Sequence, residues 1–313
     1  MADPALVAAL AAAVAAPTEA ATDTFVQTLA NGILYGGILA IAAVGFSLVF
    51  GVMNVINLAH GVFVMGGAYA ALAAWNTFGI DPIVALPVVM AIAFAIGWTY
   101  QRFVIERAVA RGSPVAALLV TFGLALVGVN LLTAGFSSTV RNISPSYSFL
   151  NVSIGGLSLD AVRLVAFAAG IVLITLLALF LRTTRWGRII RATAQSERGA
   201  RFCGVDVRVV HAATFGVGSA FAAAAGVLVG IMLPFTPSDE VLWTVYAFIV
   251  VTLGGVGSPA GAMLGGVLLG CSATLTQTYL GAVYTNAVMF LILLVMLLVR
   301  PNGILGSAFR PSR

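Results

Sequence analysis

Two adjoining stretches of opposite character decide the fold: residues 161–181, AVRLVAFAAGIVLITLLALFL, and residues 182–208, RTTRWGRIIRATAQSERGARFCGVDVR. The first stretch is apolar over the roughly 20 residues that a helix needs to cross a bilayer. The second holds seven of the fifteen cationic residues of the 313-residue chain. The pattern predicts a membrane-spanning helix that runs into a basic loop, and what this loop contacts becomes the main functional question.

The whole chain has the composition of a membrane protein. It is 61% hydrophobic and 8% charged, with a mean hydropathy of +1.10, whereas soluble domains carry about 25% charged residues. A water-soluble fold cannot bury this much apolar surface, so lipid must be the solvent.

All fifteen cationic residues are arginine, and this excludes several kinds of chemistry. A conventional P-loop ATPase needs a lysine for the nucleotide phosphates, and Schiff-base catalysis needs one for its substrate. Cys203 and Cys271 have no metal-ligand spacing, and His60 and His211 form no convincing catalytic triad. The sequence therefore predicts no catalytic residue, no cofactor and no metal site.

Nine apolar segments follow residue 24 and predict an all-α, polytopic transmembrane bundle of eight or nine spans. They lie at approximately 25–52, 57–77, 82–101, 115–136, 161–181, 211–233, 241–257, 260–279 and 283–299. Residues 1–24 are predicted to be a weakly structured, Ala-rich N-terminal extension, with a degenerate signal peptide as the alternative. Residues 25–300 form the predicted transmembrane domain, which includes the basic loop at 182–210, and residues 301–313 form a tail.

The distribution of charge predicts the orientation. With the N-terminus outside, the inside loops hold thirteen arginines and three acids, which are Glu106, Glu197 and Asp206. The outside loops then hold two arginines, Arg141 and Arg163, and seven acids. Because arginine-rich loops stay on the cytoplasmic side, the basic loop and the C-terminus are predicted to be cytoplasmic. The same asymmetry explains the pI near 9.7 without a nucleic-acid partner.

Polar residues interrupt the chain between the first two predicted spans, in the sequence Asn54-Val-Ile-Asn57-Leu-Ala-His60-Gly61. Amides and an imidazole are costly in hydrocarbon, so they must face protein or water. One interpretation is a tight cytoplasmic turn with a capping asparagine. The other is a broken helix whose backbone lines a transport path near its cytoplasmic end, with Asn54, Asn57, His60 and Gly61 as pathway residues. The absence of Asp, Glu or Arg deep in any predicted span argues against a carrier with carboxylate relays.

Glycines recur at the small-xxx-small spacing that lets helix backbones approach closely. The pairs fall within residues 226–230, 261–265 and 266–270. Ordinary packing within the chain is the favoured interpretation, and a dimer face is the alternative. The cluster Gly254-Gly255-Val-Gly257-Ser258-Pro259 predicts a flexible hairpin and a second region of irregular backbone.

Helical spacing appears inside the basic loop, where Arg188, Arg191, Gln195 and Arg198 recur and Gly204 is a natural C-terminal stop. This predicts one short helix from about residue 187 to 202. A helix resting on anionic membrane lipid is one interpretation. Docking to a protein is the other. Glu197, Asp206 and the turn at 203–206 favour docking because a lipid-facing helix has no need of them.

Five sequence runs together carry a family resemblance. They are residues 31–51 with 57–61, Arg188-Ile-Ile-Arg191-Ala-Thr-Ala-Gln195, Ala200-Arg201 with Gly204-Val-Asp206, Gly254-Gly255-Val-Gly257-Ser258-Pro259-Ala-Gly261, and Arg300-Pro-Asn-Gly303-Ile-Leu-Gly306. In this order they resemble the permeases of branched-chain amino acid ABC transporters, and the match covers nearly the whole chain after residue 25. The Ala-rich extension is not part of the family pattern.

The resemblance implies an assembly in a bacterial inner membrane. A periplasmic binding protein would deliver the solute to two related membrane subunits, of which this chain looks like the first, and two cytoplasmic ATP-binding subunits would drive transport. The segment 188–206 would then contain the coupling helix that sits in an ATPase cleft. The implied coupling residues are Arg188, Arg191, Gln195, Glu197, Arg201, Gly204 and Asp206.

More than one solute and more than one transport mechanism fit the sequence. A path without fixed charge suits a branched-chain amino acid or a similar small neutral or zwitterionic solute, and the same family pattern also serves urea and short amides. A stand-alone channel or secondary carrier and a scaffolding membrane protein are the rival classes. Flux through the isolated chain would favour the channel or carrier.

Overall fold

The computed structural model describes residues 4–109, 114–154, 157–300 and 302–305, with side chains from Thr24 onward except at positions 109, 114 and 154. Its helices are α1 (Pro4–Met53), α2 (His60–Phe78), α3 (Pro82–Tyr100), α4 (Glu106–Val109), α5 (Pro114–Phe136), α6 (Ala161–Thr183), α7 (Arg185–Gln195), α8 (Glu197–Phe202), α9 (Val207–Met232), α10 (Glu240–Gly254), α11 (Pro259–Tyr279) and α12 (Thr285–Val299). A π-helical turn, Gln101–Ile105, joins α3 to α4. The predicted helical class is confirmed for these residues, apart from one antiparallel hairpin of β1 (Asn151–Ile154) and β2 (Leu157–Asp160).

Seven helical segments in the described part of the chain are long and apolar enough to cross a membrane. They are Thr24–Met53, Pro82–Ala108, Val115–Phe136, Ala161–Thr183, Val207–Met232, Pro259–Tyr279 and Ala282–Val299. The two other predicted spans correspond to α2 and α10. The α10 helix has 15 residues and is therefore about 22 Å long, shorter than the roughly 30 Å hydrocarbon core. The exact number of spans stays a prediction.

The structure describes most of the predicted N-terminal extension but little of the predicted C-terminal tail. Helix α1 begins at Pro4, so the Ala-rich stretch continues the helix. Alanine has the highest helix propensity of all residues, which accounts for this continuation. That residues 1–24 form an extension separate from the transmembrane domain stays a prediction. Most of the predicted tail, 301–313, lies outside the described residues, as do Arg111, Arg310 and Arg313.

Helices α1 and α9 form the centre of the bundle. In their most apolar windows 83% and 89% of the residues are buried, against 17% in α5 and 6% in α12. Glycines permit this packing. A Cβ on Gly36 of α1 would lie 2.6 Å from the Gly266 carbonyl oxygen of α11, and a Cβ on Gly226 of α9 would overlap the Val64 carbonyl of α2. The glycine pairs therefore serve packing within the chain, as the favoured interpretation predicted.

The two ends of the bundle differ in charge. We call the end that carries α4, α7, α8 and Arg300 the basic end. At the opposite end Arg163 pairs with Asp160 at 2.8 Å, and Asp81 caps α3 by accepting from the Ile83 N–H at 2.8 Å. The Tyr147 hydroxyl donates to Asp81 at 3.4 Å, and burial together with this carboxylate raises the pKa of Tyr147 to about 12. The acidic loops and the basic loop are thus separated along the bundle.

Candidate functional site

The chain folds back into the bundle after α1. Asn54 has a left-handed φ of +51°, and the chain returns along α1 until His60 opens α2. The His60 Nε2–H donates to the Ala42 carbonyl at 2.8 Å, and the imidazole packs edge-on against Phe46 at 5.3 Å between ring centroids. Ala42 precedes the end of α1 by eleven residues, or roughly 16 Å at 1.5 Å per residue. The α2 helix therefore begins inside the bundle.

Helix α10 also begins inside the bundle, against the same point. Phe235 is paired with Arg141 by two backbone hydrogen bonds of 2.9 Å at the opposite end, and five residues later Glu240 lies beside Gly61. The Gly61 N–H donates to the Thr244 hydroxyl at 2.8 Å, and a Cβ on Gly61 would overlap the Glu240 carbonyl oxygen. We call residues 54–61 together with 235–240 the interior break. Two helix N-termini, each with a partial positive charge, meet there.

The four predicted pathway residues all lie in the interior break, in different environments. Asn54 is exposed, whereas Asn57 and His60 are 3% and 1% exposed. The Asn57 side-chain oxygen accepts from the Ala59 N–H at 3.1 Å and closes a turn. It does not cap α2, because Ala59 is the N-cap of that helix and no side chain caps it, so the predicted capping asparagine is wrong. The break itself lies deeper than a turn at the end of the bundle, which agrees with the broken-helix interpretation. That the four residues line a transport path stays a prediction.

The glycine-rich connection between α10 and α11 is held in place by neighbouring elements. Gly255 and Gly257 have left-handed φ values of +100° and +76°. The Gly257 N–H donates to the Ser47 hydroxyl of α1 at 2.8 Å, and the Ile304 N–H donates to the Leu253 carbonyl at 2.8 Å. The backbone is irregular as predicted. However, these hydrogen bonds fix the segment and do not support the predicted flexible hairpin.

The basic loop contains two helices where the sequence predicted one. Ser196 separates α7 from α8 with an extended backbone (φ −159°, ψ 109°), and its hydroxyl accepts from the Gly199 N–H at 3.1 Å. The single-helix prediction over 187–202 is wrong because a serine that caps one helix interrupts the other. Gly204, with a φ of +79°, follows α8 as the predicted stop.

A cavity of about 510 Å³ opens beside α7 at the basic end. Its apolar side comes from α1 and α6, and its cationic side from Arg182, Arg188 and Arg191, with Gln195 beside them. Within the described residues none of these three arginines forms a salt bridge, and Arg188 donates to the Thr183 carbonyl at 3.1 Å. We call this the arginine cavity. It collects three of the predicted coupling residues.

A second cavity, of about 300 Å³, lies on the far side of Ser196. It is lined by Glu106 from the end of α3–α4, Glu197 and Arg201 from α8, and Arg208 and His211 from α9. Arg208 pairs with Glu106 at 2.9 Å, and Arg201 with Glu197 at 3.6 Å. We call this the paired-charge cavity. The two cavities therefore divide the predicted coupling residues into a cationic set and a charge-balanced set.

Comparison with known proteins identifies the family. Residues 28–299 match the family model of the branched-chain amino acid transport system permease component. The chain belongs to this family. It is 35% identical over 297 residues to the high-affinity branched-chain amino acid transport system permease protein LivH of Escherichia coli (strain K12), with 90% of this chain and 96% of LivH covered. It is thus a multi-pass membrane protein and a permease component of this transport family.

This permease is also similar to a second permease protein and to one solved structure. It is 26% identical over 289 residues to the permease protein LivM of the same organism, with 85% of this chain and 67% of LivM covered. Its fold is similar to the solved structure of PsaBC from Streptococcus pneumoniae in complex with Fab. That match has a TM-score of 0.50 at 12% identity and covers 89% of this chain and 93% of the other. This last similarity concerns the fold alone.

The remaining predicted coupling residue of this permease caps a helix, and several residues that line the two cavities or project beside them were not predicted from the sequence. Asp206 caps α9 by accepting from the Arg208 N–H at 3.0 Å. The residues that sequence reasoning missed are Arg182, Gln101, Glu106, Arg208, His211 and the 92% exposed Phe202. Glu106 could have been singled out from the sequence, because it is one of only three acidic residues predicted on the basic side. No local pattern marks Gln101, which directly follows the apolar helix α3.

Proposed function

We propose that this permease is the LivH-type membrane subunit of an ABC importer that moves branched-chain amino acids, or similar small zwitterionic solutes, into the cytoplasm. In this proposal the basic end faces the cytoplasm of a bacterial cell and the protein sits in the inner membrane. Its partners are a second, LivM-like permease subunit, two cytoplasmic ATP-binding subunits and a periplasmic binding protein. The relatives LivH and LivM of one organism support the pairing of two permeases.

The surface of the α7–α8 segment carries the proposal. Arg188 and Arg191 face outward without a carboxylate partner in the described chain, and the Phe202 ring is 92% exposed. Arginine and aromatic residues are enriched at protein interfaces, and an unpaired cationic surface attracts an acidic one. The caps at Thr184 and Ser196 hold both short helices, at 2.9 Å and 3.1 Å from their N–H donors. A firmly capped segment suits the transfer of a rigid-body motion from an ATPase.

The interior break supports a transport path in the same subunit. Two helices begin inside the bundle at this point, and irregular backbone at membrane depth is tolerated where it is buried in protein or lines an aqueous path. The N-terminus of α10 already holds the buried carboxylate of Glu240, whereas that of α2 carries partial positive charge without an acidic residue in its first turn. The N-terminus of α2 therefore suits the carboxylate of a zwitterion. We propose that Asn54, Asn57, His60 and Gly61 border this path.

Charge reversal at Arg191 tests the coupling role. In cells that carry the complete transporter, Arg191→Glu should reduce uptake of radiolabelled leucine at least about tenfold, because a like charge facing an acidic partner costs more than 1.4 kcal/mol. Arg198→Glu is the control, since Arg198 is also exposed but lines neither cavity. Both variants should accumulate in the membrane normally. Unchanged uptake by the Arg191 variant would refute docking at this surface.

Two further measurements separate the alternatives. Leucine, urea and acetamide are compared as competitors of uptake, and competition by urea or acetamide alone would reject an amino-acid solute. The purified permease is also reconstituted without ATP-binding subunits. Leucine flux through it would favour a stand-alone channel or carrier over the importer.

A further inference from the structure

The paired-charge cavity has the chemical composition of a site for a dipolar molecule. Two carboxylates, of Glu106 and Glu197, and two guanidinium groups, of Arg201 and Arg208, line it, so the formal charges of these four groups cancel. The apolar side of the cavity is formed by Met53, Val55 and Val207. The arginine cavity, in contrast, presents only cationic groups and would favour an anion. A balanced pair of charges beside an aliphatic wall matches a free amino acid.

Gln101 provides an independent sign that the cavity is incomplete. This residue is 1% exposed, and its side-chain oxygen has no hydrogen-bond donor within the described part of the chain. Buried acceptors of this kind are normally satisfied, and Gln101 lines the cavity. It also opens the π-helical turn between α3 and α4, and π-helical turns occur often at functional sites. A donor supplied by a ligand would satisfy the oxygen.

The contacts of Glu197 on one side of the cavity are loose. Glu197 lies 3.6 Å from Arg201 and 3.4 Å from His211 Nε2, whereas charge-assisted hydrogen bonds usually measure about 2.7–2.9 Å. The Arg208–Glu106 pair at 2.9 Å is already tight. Glu197 and Arg201 are therefore the charged groups that are free to exchange their mutual contact for contacts with a ligand.

We propose that the paired-charge cavity binds a free α-amino acid with an aliphatic side chain at the basic end of the permease. The ammonium group is held by Gln101 and Glu197, the carboxylate by Arg201, and the side chain by Met53 and Val207. The volume of about 300 Å³ lies at the lower limit of ligand pockets, which suits a molecule as small as leucine. The proposal rests on the proposed function, because the imported solute would be the ligand that reaches this cavity.

Occupancy of the cavity has a consequence for transport. The bound amino acid would join α8 to the ends of α3 and α9, whereas the proposed coupling requires the α7–α8 segment to move with the ATPase. A ligand stabilises the conformation that it binds. Imported amino acid that accumulates in the cytoplasm would therefore slow its own uptake.

Equilibrium binding to the purified full-length permease, in lipid nanodiscs and without its partners, tests the site. The probes are radiolabelled leucine and two analogues with the same isobutyl group, 4-methylpentanoate without the ammonium group and isopentylamine without the carboxylate. Leucine should bind at least about tenfold more tightly than either analogue, since each lacks a charge-assisted hydrogen bond. Absence of leucine binding to folded permease, or equal affinity for all three probes, would overturn the proposal.

Two variants then assign the binding groups. Gln101→Met keeps the side-chain length but removes the acceptor, and should weaken leucine binding by about tenfold while leaving 4-methylpentanoate unaffected. Glu197→Gln should weaken leucine binding more than 4-methylpentanoate binding and so reduce the difference between the two affinities. Simple misfolding would instead weaken the binding of both probes. Arg163→Gln, which alters an ion pair at the opposite end, is the control. An unchanged leucine affinity in both Gln101→Met and Glu197→Gln would refute the assignment.

Measurements of leucine uptake distinguish an error in the proposed binding site from an error in the proposed importer function. In cells with the complete transporter, leucine uptake by Gln101→Met should continue after wild-type uptake has slowed. If leucine uptake never depends on the permease, the proposed function fails. If uptake depends on it but Gln101→Met and wild type slow at the same internal leucine concentration, only the regulatory consequence fails.

Discussion

The interior break and the basic segment, residues 182–208, contain the two sets of predicted functional residues, and they are built in opposite ways. In the interior break the backbones touch, as Gly61 and Glu240 do, and the polar groups are satisfied by neighbouring backbone, as His60 is by Ala42. In the basic segment side chains project outward, and Arg191 and Phe202 are exposed. Close backbone packing limits which side chains fit in the interior break, whereas the basic segment presents exposed side chains to solvent or to a partner.

This difference separates two kinds of glycine and two kinds of mutational effect. Gly61 is required because no atom fits between it and Glu240, although it lies within an ordinary helix. Gly204 has open space around it, but its φ of +79° disfavours any other residue. Changes in the interior break should therefore alter folding, whereas changes on the surface of the basic segment should alter binding and leave folding intact.

The largest expected effect is that of Gly61→Ala. The added Cβ would overlap the Glu240 carbonyl and push α2 away from α10, and overpacking of this kind costs about 3 kcal/mol or more where the obstacle is backbone. We expect little monodisperse protein in detergent size-exclusion chromatography and a clearly lower midpoint of thermal unfolding for whatever remains.

A matched control lies five residues further along the same helix. A Cβ on Gly66 would meet no atom within 4 Å, so Gly66→Ala should leave the chromatogram unchanged and stabilise the helix by up to about 1 kcal/mol. Equal thermal stability of the Gly61→Ala and Gly66→Ala variants would show that the interior break is not limited by space.

The next effect concerns Phe202→Ala, in the basic segment. Because this ring is 92% exposed, its removal should leave the thermal stability of the permease unchanged. If it anchors the ATP-binding subunits, the loss of a central aromatic contact should weaken their binding by about 2 kcal/mol, or roughly thirtyfold. Co-purification and microscale thermophoresis with the ATP-binding subunits measure this change.

Another exposed phenylalanine serves as the control for this experiment. Phe149 is 81% exposed at the opposite end, and Phe149→Ala should not change the affinity for the ATP-binding subunits. A Phe202 variant with wild-type affinity would move the docking surface away from the end of α8 and towards the arginine cavity.

The sequence predicted the helices well because hydrophobicity and length suffice for that purpose in a membrane protein. All nine apolar segments lie on helices, and the arginines of the described chain gather mainly at one end. How deep each polar residue lies within the bundle was harder to predict. Nothing in the run from Asn54 to Gly61 shows that His60 reaches back to Ala42. The neighbouring Gly61 N–H donates to Thr244, which is 183 residues away in sequence.

The candidate site was predictable in part for the same reason. Arginines at helical spacing in a loop indicated an exposed helix, and Arg188 and Arg191 do face outward. The paired-charge cavity was not foreseen because it joins α3–α4, α8 and α9, whose charged residues lie up to about a hundred positions apart. Such a site requires the tertiary structure, since single-residue patterns record only neighbours along one helix.

The smallest effect expected is that of Ser196→Ala, which tests the interruption between α7 and α8. Removing the hydroxyl leaves the Gly199 N–H without its acceptor and should cost about 1 kcal/mol of local stability. Amide hydrogen exchange should become roughly fivefold faster in α8 but stay unchanged in α9. Ser272→Ala is the control, because that hydroxyl donates to Leu268 within a helix and caps nothing. Slower exchange across residues 185–202 would instead mean that the two helices had fused, and that only this serine keeps the two cavities apart.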